Sequence, residues 1–226
     1  MSTNIMFAPQ YREKGFTLME LVVGFAVASI VAAGIALTWI TQQKAFMHET
    51  EANAVQNNLR AAAFILERDL RSAGYMENCA SKPCLSFISA NSTSLSFQTW
   101  NDSSGSVETI RYRLYNSSAG GGQALGRQVD SNPIQPVAYD IEALNFVYLD
   151  RNNVVLPSPV PSNKLDKINK VEIAIVGRGS KPTPISGSTS QTFQNLQGNI
   201  IYTATAGDFV RRAILTRVYC RNNFPK

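Results

Sequence analysis

No proline occurs between Pro9 and Pro83, so nothing in that stretch removes a backbone donor or forces a helix to break. The sequence holds one histidine, His48, which excludes a multi-histidine metal site and any His-based catalytic triad; it reads as a solvated residue on a polar helix. Cysteine is also scarce. Cys79, Cys84 and Cys220 are too few for a disulfide-built scaffold, and the odd number leaves at least one thiol unpaired in a monomer. Charged residues make up 16% of the chain with a net charge of +5, and outside the first fifteen residues no basic run exceeds two. A nucleic-acid footprint is therefore not indicated. An Ala-x-Ala site is missing from the far end of the first apolar segment, where an ordinary secretory signal would be cut.

What the sequence does have is concentrated at its start. Phe16 to Ile40 is apolar apart from a few small polar residues and contains a single charge, Glu20. As a helix this stretch rises about 37 Å, enough to cross a hydrocarbon core of about 30 Å. Arg12, Glu13 and Lys14 precede it, so charge alone orients it only weakly. A carboxylate inside such a segment is costly and normally has a partner.

Beyond Trp39 the pattern becomes amphipathic. Ala52, Val55, Leu59, Ala62, Leu66, Leu70 and Ala73 recur at spacings of three and four, while Glu51, Asn58, Arg60, Glu67, Arg68 and Arg71 fall largely off that stripe. Gly74 supplies a stop, which predicts one helix from about Thr17 to Ala73. The remainder reads as strands. Ile110, Tyr112 and Leu114 alternate with Arg111 and Arg113, and Val171, Ile173 and Ile175 alternate with Glu172 and Ala174, two half-buried patterns. Leu95–Trp100, Ala124–Val129, Ala143–Leu149, Ile200–Ala204 and Ala213–Cys220 are further strand candidates. Gly120–Gly122 reads as a turn, and Pro157–Pro161 and Pro182–Gly187 as loops. The expected fold class is α+β, a long N-terminal helix packed on an antiparallel β-rich head.

Gly15-Phe16-Thr17-Leu18-Met19-Glu20-Leu21 resembles the class III signal of type IV prepilins and type II secretion pseudopilins. The resemblance implies that a membrane peptidase cuts after Gly15 and N-methylates Phe16, and that Glu20 sets assembly register by meeting the terminal ammonium of a neighbouring subunit. Leu37 stands where major pilins usually carry a proline, a departure from the bulk filament subunit. The stretch Leu66-Glu-Arg-Asp-Leu-Arg-Ser-Ala-Gly-Tyr75, a nearby cysteine, Asp208-Phe-Val-Arg-Arg212 and Val218-Tyr-Cys-Arg-Asn222 resemble the PilW-type minor pilins.

The expected organisation is a leader at 1–15, a transmembrane or filament-core helix at 16–40, its amphipathic second half at 41–75 and a head at 76–226. The implied role is a minor pilin that starts or caps a type IV pilus, with no enzymatic activity. Implied partners are other minor pilins, the major pilin, the prepilin peptidase, the inner-membrane assembly platform and, before assembly, membrane lipid. The implied location is the inner membrane with a periplasmic head, then the pilus. The alternatives are a minor pseudopilin of a type II secretion system, or a membrane-anchored periplasmic binding module or enzyme.

Cys79-Ala-Ser-Lys-Pro-Cys84 is the expected disulfide, with pairing of Cys220 to either cysteine as the alternative. No cofactor is expected. Asp140, Glu142, Asp150, Asp166 and Asp208 leave calcium open without an EF-hand spacing. Gly177-Arg-Gly-Ser-Lys181 lacks the phosphate-loop spacing and reads as a solvent loop at a strand end. Three Asn-x-Ser/Thr tripeptides, at Asn91, Asn101 and Asn116, read as chance in a Ser- and Asn-rich head.

Overall fold

The structure, a computed structural model, describes residues 15–76, 86–119, 122–183 and 190–223. The chain divides into two compact units, Met1–Gln43 and Lys44–Lys226. Helix α1, Leu18–Ser72, is unbroken, as the lack of proline requires. In the first unit its side chains all face outward, and its apolar window has a mean hydropathy of 2.4, long and apolar enough to cross a membrane. The few hydroxyls there turn back on the helix: Ser29, Thr38 and Thr41 donate to the carbonyls of Ala26, Gly34 and Leu37. Each of those three hydroxyls thus has a hydrogen-bond partner within the helix.

In the second unit the predicted stripe is the buried one. Leu59, Leu66 and Leu70 are fully enclosed, with Ala52, Val55, Ala62 and Ala73 beside them. They meet a seven-stranded antiparallel sheet in the order β1-β2-β3-β4-β5-β6-β9. Its strands are β1 (Phe87–Ala90), β2 (Ser94–Asn101), β3 (Ser106–Asn116), β4 (Gln123–Val129), β5 (Gln135–Leu149), β6 (Lys170–Pro182) and β9 (Phe209–Tyr219). A separate hairpin, β7 (Gln191–Gln194) and β8 (Ile200–Ala204), is inserted between β6 and β9. Phe87, Leu95, Phe97, Tyr112, Phe146, Ile173 and Ile175 complete the core against the helix. Each large side chain so buried contributes about 1.5–3 kcal/mol.

Gly74 ends the helix in the left-handed region, at φ 77°, where a Cβ would also fall 2.6 Å from that of Ser86. Conformation and space therefore both demand glycine. The chain beyond it pairs with β2: the Gly74 N–H donates to the Gln98 carbonyl and the Trp100 N–H to that of Tyr75.

Three expectations are corrected. Val171–Ile175 is buried on both faces, not half-buried, because residues 195–197 of the β7–β8 hairpin cover the side opposite the helix. Gly177–Lys181 is no solvent loop; it continues β6, and Gly177 lies where a Cβ would stand 3.1 Å from a Leu59 methyl. Pro182 closes that strand opposite Phe209 and is not the start of a loop. The four-residue strands β1 and β7 and a 3-10 turn at Ser162–Lys167 were not anticipated. Residues 184–187 and Gly120–Gly121 lie outside the described residues.

Candidate functional site

The first unit carries Gly15, Phe16 and Glu20, the residues expected to serve processing and registry. Gly15 and Phe16 are exposed, and a Cβ on Gly15 would meet nothing within 4 Å. The protein itself therefore does not need glycine there. Thr17 is the N-cap of α1. Its hydroxyl accepts the Glu20 N–H at 3.2 Å, while Glu20 Oε2 accepts the Thr17 N–H and hydroxyl, each at 3.0 Å. This reciprocal capping box satisfies two of the orphan donors at the helix start. It was written in the sequence as Thr-x-x-Glu before an apolar run, yet Glu20 was read only for a role between subunits. In the single chain the carboxylate already has a partner one turn away.

The second unit has its own polar centre, which the sequence reading missed. Asp69 sits on the buried stripe and is 5% exposed. Its Oδ2 accepts the Tyr112 hydroxyl at 2.7 Å and the Arg127 Nε–H at 2.6 Å, and its Oδ1 accepts two donors from Arg68 at 3.2 and 3.3 Å. The carboxylate thus ties α1 to β3 and β4 at one point. Burial first, and then the Asp69 charge, push the Tyr112 hydroxyl far above the ordinary phenol range. Burial, the largest single influence, lowers the Arg127 guanidinium, but the Asp69 hydrogen bond, the Asp69 charge and Tyr112 together leave it raised. The Tyr112 hydroxyl and the Arg127 guanidinium therefore keep their protons across the physiological range, which suits a structural staple.

The C-terminal stretch is engaged in the same manner. Arg211 grips Glu142 with Nε to Oε2 at 2.7 Å and Nη2 to Oε1 at 3.3 Å, a two-point pair reaching from β9 to β5. That hydrogen bond raises the Arg211 guanidinium. Glu172, 2% exposed, accepts from Arg217 and from Gln197 Nε2. Asn223, also buried, donates to the carbonyls of Leu165 and Ile168 and meets Ser86, and Asn222 donates to the Arg71 carbonyl. The tail is thereby pinned at the end of the helix.

The other candidates are spread apart. Cys220 is a buried free thiol, and burial pushes it up to about 12. Cys79 and Cys84 lie outside the described residues. His48 is half-buried, with Nδ1 3.3 Å from the Thr183 hydroxyl, instead of solvated. Asp140 faces Arg178 at 3.8 Å, and Asp150 accepts the Asn152 and Val154 N–H groups at 2.8 Å. Among the described residues no group of three or more His, Cys, Asp or Glu could hold a metal ion.

Residues 10–36 match the family described as the prokaryotic N-terminal methylation motif. No curated protein matches the chain. Among solved structures, the type IV-like pilin TTHA1219 from Thermus thermophilus is similar, with a TM-score of 0.52 over 75% of this chain and 97% of that one. The fold is type IV pilin-like. At 13% identity the agreement is one of architecture: a long apolar N-terminal helix on an antiparallel sheet. The matched residues include the cap of α1 at Thr17 and most of the apolar run from Phe16 to Ile40.

Proposed function

We propose that this chain is a minor pilin of a type IV pilus, of the PilW type, acting as a structural subunit in pilus initiation or in the tip complex. The observation that carries this reading is the joint occurrence of a prepilin-type motif over residues 10–36 and a pilin-like fold in one chain. In this reading a prepilin peptidase removes residues 1–15 and methylates the new N-terminus at Phe16. The apolar half of α1 holds the subunit in the inner membrane with its head in the periplasm, and then joins a bundle of like helices. Other minor pilins, the major pilin and the assembly platform are its partners. Glu20 leaves its Thr17 partner to meet the terminal ammonium of a neighbour, which fixes axial register. The PilW assignment is supported by the work its resemblance-bearing stretches do, since Asp69, Gly74 and Arg211 each hold helix or sheet in place.

The test is N-terminal mass spectrometry of the chain from its native host. Mature protein beginning with N-methylated Phe16 and recovered in sheared pili is the expected result. Mature protein beginning elsewhere would overturn the processing, and recovery only with a secretion complex would overturn the pilus. Gly15→Ala checks the same step: an Ala fits this fold, so uncut precursor in the membrane would report on the peptidase and not on misfolding.

A further inference from the structure

The two edges of the main sheet are treated differently. At one edge β1 is four residues long, and the Val160 N–H already covers the Ala90 carbonyl. At the other, β9 runs for eleven residues without proline. The Cys220 N–H donates to the Asn169 carbonyl, and the β6–β9 register is unshifted from Lys170↔Tyr219 to Arg178↔Arg211. In an antiparallel ladder such bonded pairs alternate with pairs whose backbone groups point away. Ile214, Thr216 and Val218 therefore bond inward to β6, while Ala213, Leu215, Arg217 and Tyr219 aim their N–H and C=O groups outward. Those outward groups meet no hydrogen-bonding partner among the described residues.

Proteins normally blunt an edge of this length with charge, a bulge or a cover. Three arginines lie on β9, but Arg211 and Arg217 are folded back onto Glu142 and Glu172 on the sheet. The outer face of the edge instead shows Leu215 and Tyr219, 40% and 54% exposed. Arg212 and Arg221, near its two ends, have no carboxylate partner among the described residues.

We propose that the β9 edge is a strand-addition site that receives an extended segment of a neighbouring, non-identical subunit. The segment would alternate apolar side chains and place carboxylates against Arg212 and Arg221. Main-chain bonds supply the affinity in such pairing, and alternate side chains supply the choice of partner. A second copy does not fit. An antiparallel β9–β9 ladder is isologous, with its two-fold axis along the sheet normal. The buried stripe of α1 lies on one face of the sheet, so that axis would reverse the helix direction between copies, whereas chains inserted in one membrane from one side share a direction. A parallel in-register ladder of copies would instead set Arg212 beside Arg212, a like-charge contact that destabilises.

The proposal rests on the assembly reading above. Its test compares Leu215→Pro with Leu215→Thr in the full chain in its native host. The N–H lost to proline has no use within the fold, and an edge strand with that group facing out accepts proline. Both variants should reach the membrane with Cys220 unreactive to a maleimide, which shows the head folded. Recovery in sheared filaments should fall roughly tenfold or more for proline and stay near wild type for threonine, because only proline removes a donor and opposes a partner's carbonyl. A photo-crosslinking aromatic at position 219 should yield an adduct with a different pilin-like chain. Equal recovery of the two variants, or an adduct of two copies of this chain, would overturn the proposal. Absence of the unmodified chain from filaments would instead count against the assembly reading itself.

Discussion

Replacing Asp69 by alanine isolates what the buried carboxylate contributes. The substitution deletes one side chain but leaves four donors without their acceptor: the Tyr112 hydroxyl, the Arg127 Nε–H and the two N–H groups of the Arg68 fork. Arg68 is 62% exposed and returns to water at almost no cost. Arg127 is 27% exposed, so it recovers part of its hydration by shifting outward. Tyr112 is fully enclosed and has no such route. Removing one partner of a buried pair costs about 3–5 kcal/mol, and the partial escape of Arg127 places Asp69→Ala near the lower end, roughly 3 kcal/mol. Tyr112→Phe, which removes a hydroxyl together with its bond, should cost about 1–1.5 kcal/mol. Their double mutant should fall short of the sum by about 1 kcal/mol, since both report on one bond. Urea unfolding of the full chain in detergent micelles, followed by exposure of the Cys220 thiol, supplies the measurement. An Asp69→Ala midpoint shift worth under about 1 kcal/mol at an unchanged slope would refute the staple.

Glu20→Ala should still insert into the membrane, since the costly carboxylate is gone, but its entry into filaments should drop sharply on blots of sheared pili; wild-type incorporation would sink the registry role. Non-reducing peptide mapping of the chain exported to an oxidising compartment should give one Cys79–Cys84 linkage and one slowly reacting thiol at Cys220, whereas a linkage involving Cys220 would contradict its free, buried state. The head should lose stability in alkali. Unfolded, the Cys220 thiol titrates at its ordinary value of 9.0, while in the fold burial holds it up to about 12. Above pH 9 the unfolded state has therefore lost a proton that the native state keeps, and stability present below that pH falls by up to about 1.4 kcal/mol per pH unit toward 12. Tyr112 adds to the same trend in the same direction. A Cys220→Ala variant with an unaltered alkaline limb would discount the thiol's share.

The sequence was informative where one period ran undisturbed. The spacing of Ala52 to Ala73 located the buried stripe, and the alternation of Ile110, Tyr112 and Leu114 located β3, because each of those segments packs on one side only. Legibility failed where a second layer or a local irregularity intervened. On β6 the alternation of Ile173 and Ile175 with Glu172 suggested one wet face, but Glu172 is satisfied by Arg217 and Gln197, so a charged residue there marks burial. The start of β5 was hidden because Asp140 adopts φ 55° beside a bulge, which breaks the two-residue period ahead of Ala143. Asp69 could have been found: it falls three residues after Leu66 and four before Ala73, a carboxylate inside an apolar stripe. Its partners on β3 and β4, distant in sequence, could not.

The capping box at the start of α1 bears on how tightly subunits can hold one another. In the proposed assembly the Glu20 carboxylate is not orphaned before a neighbour arrives, because Thr17 already donates to it twice. Docking is then an exchange of partners, and its driving force is the difference between an ammonium and a threonine, not the whole value of an ion pair in lipid. Such an exchange lets a growing helix bundle test a subunit, release it and try again, and leaves the commitment to the many shallow contacts along the apolar run.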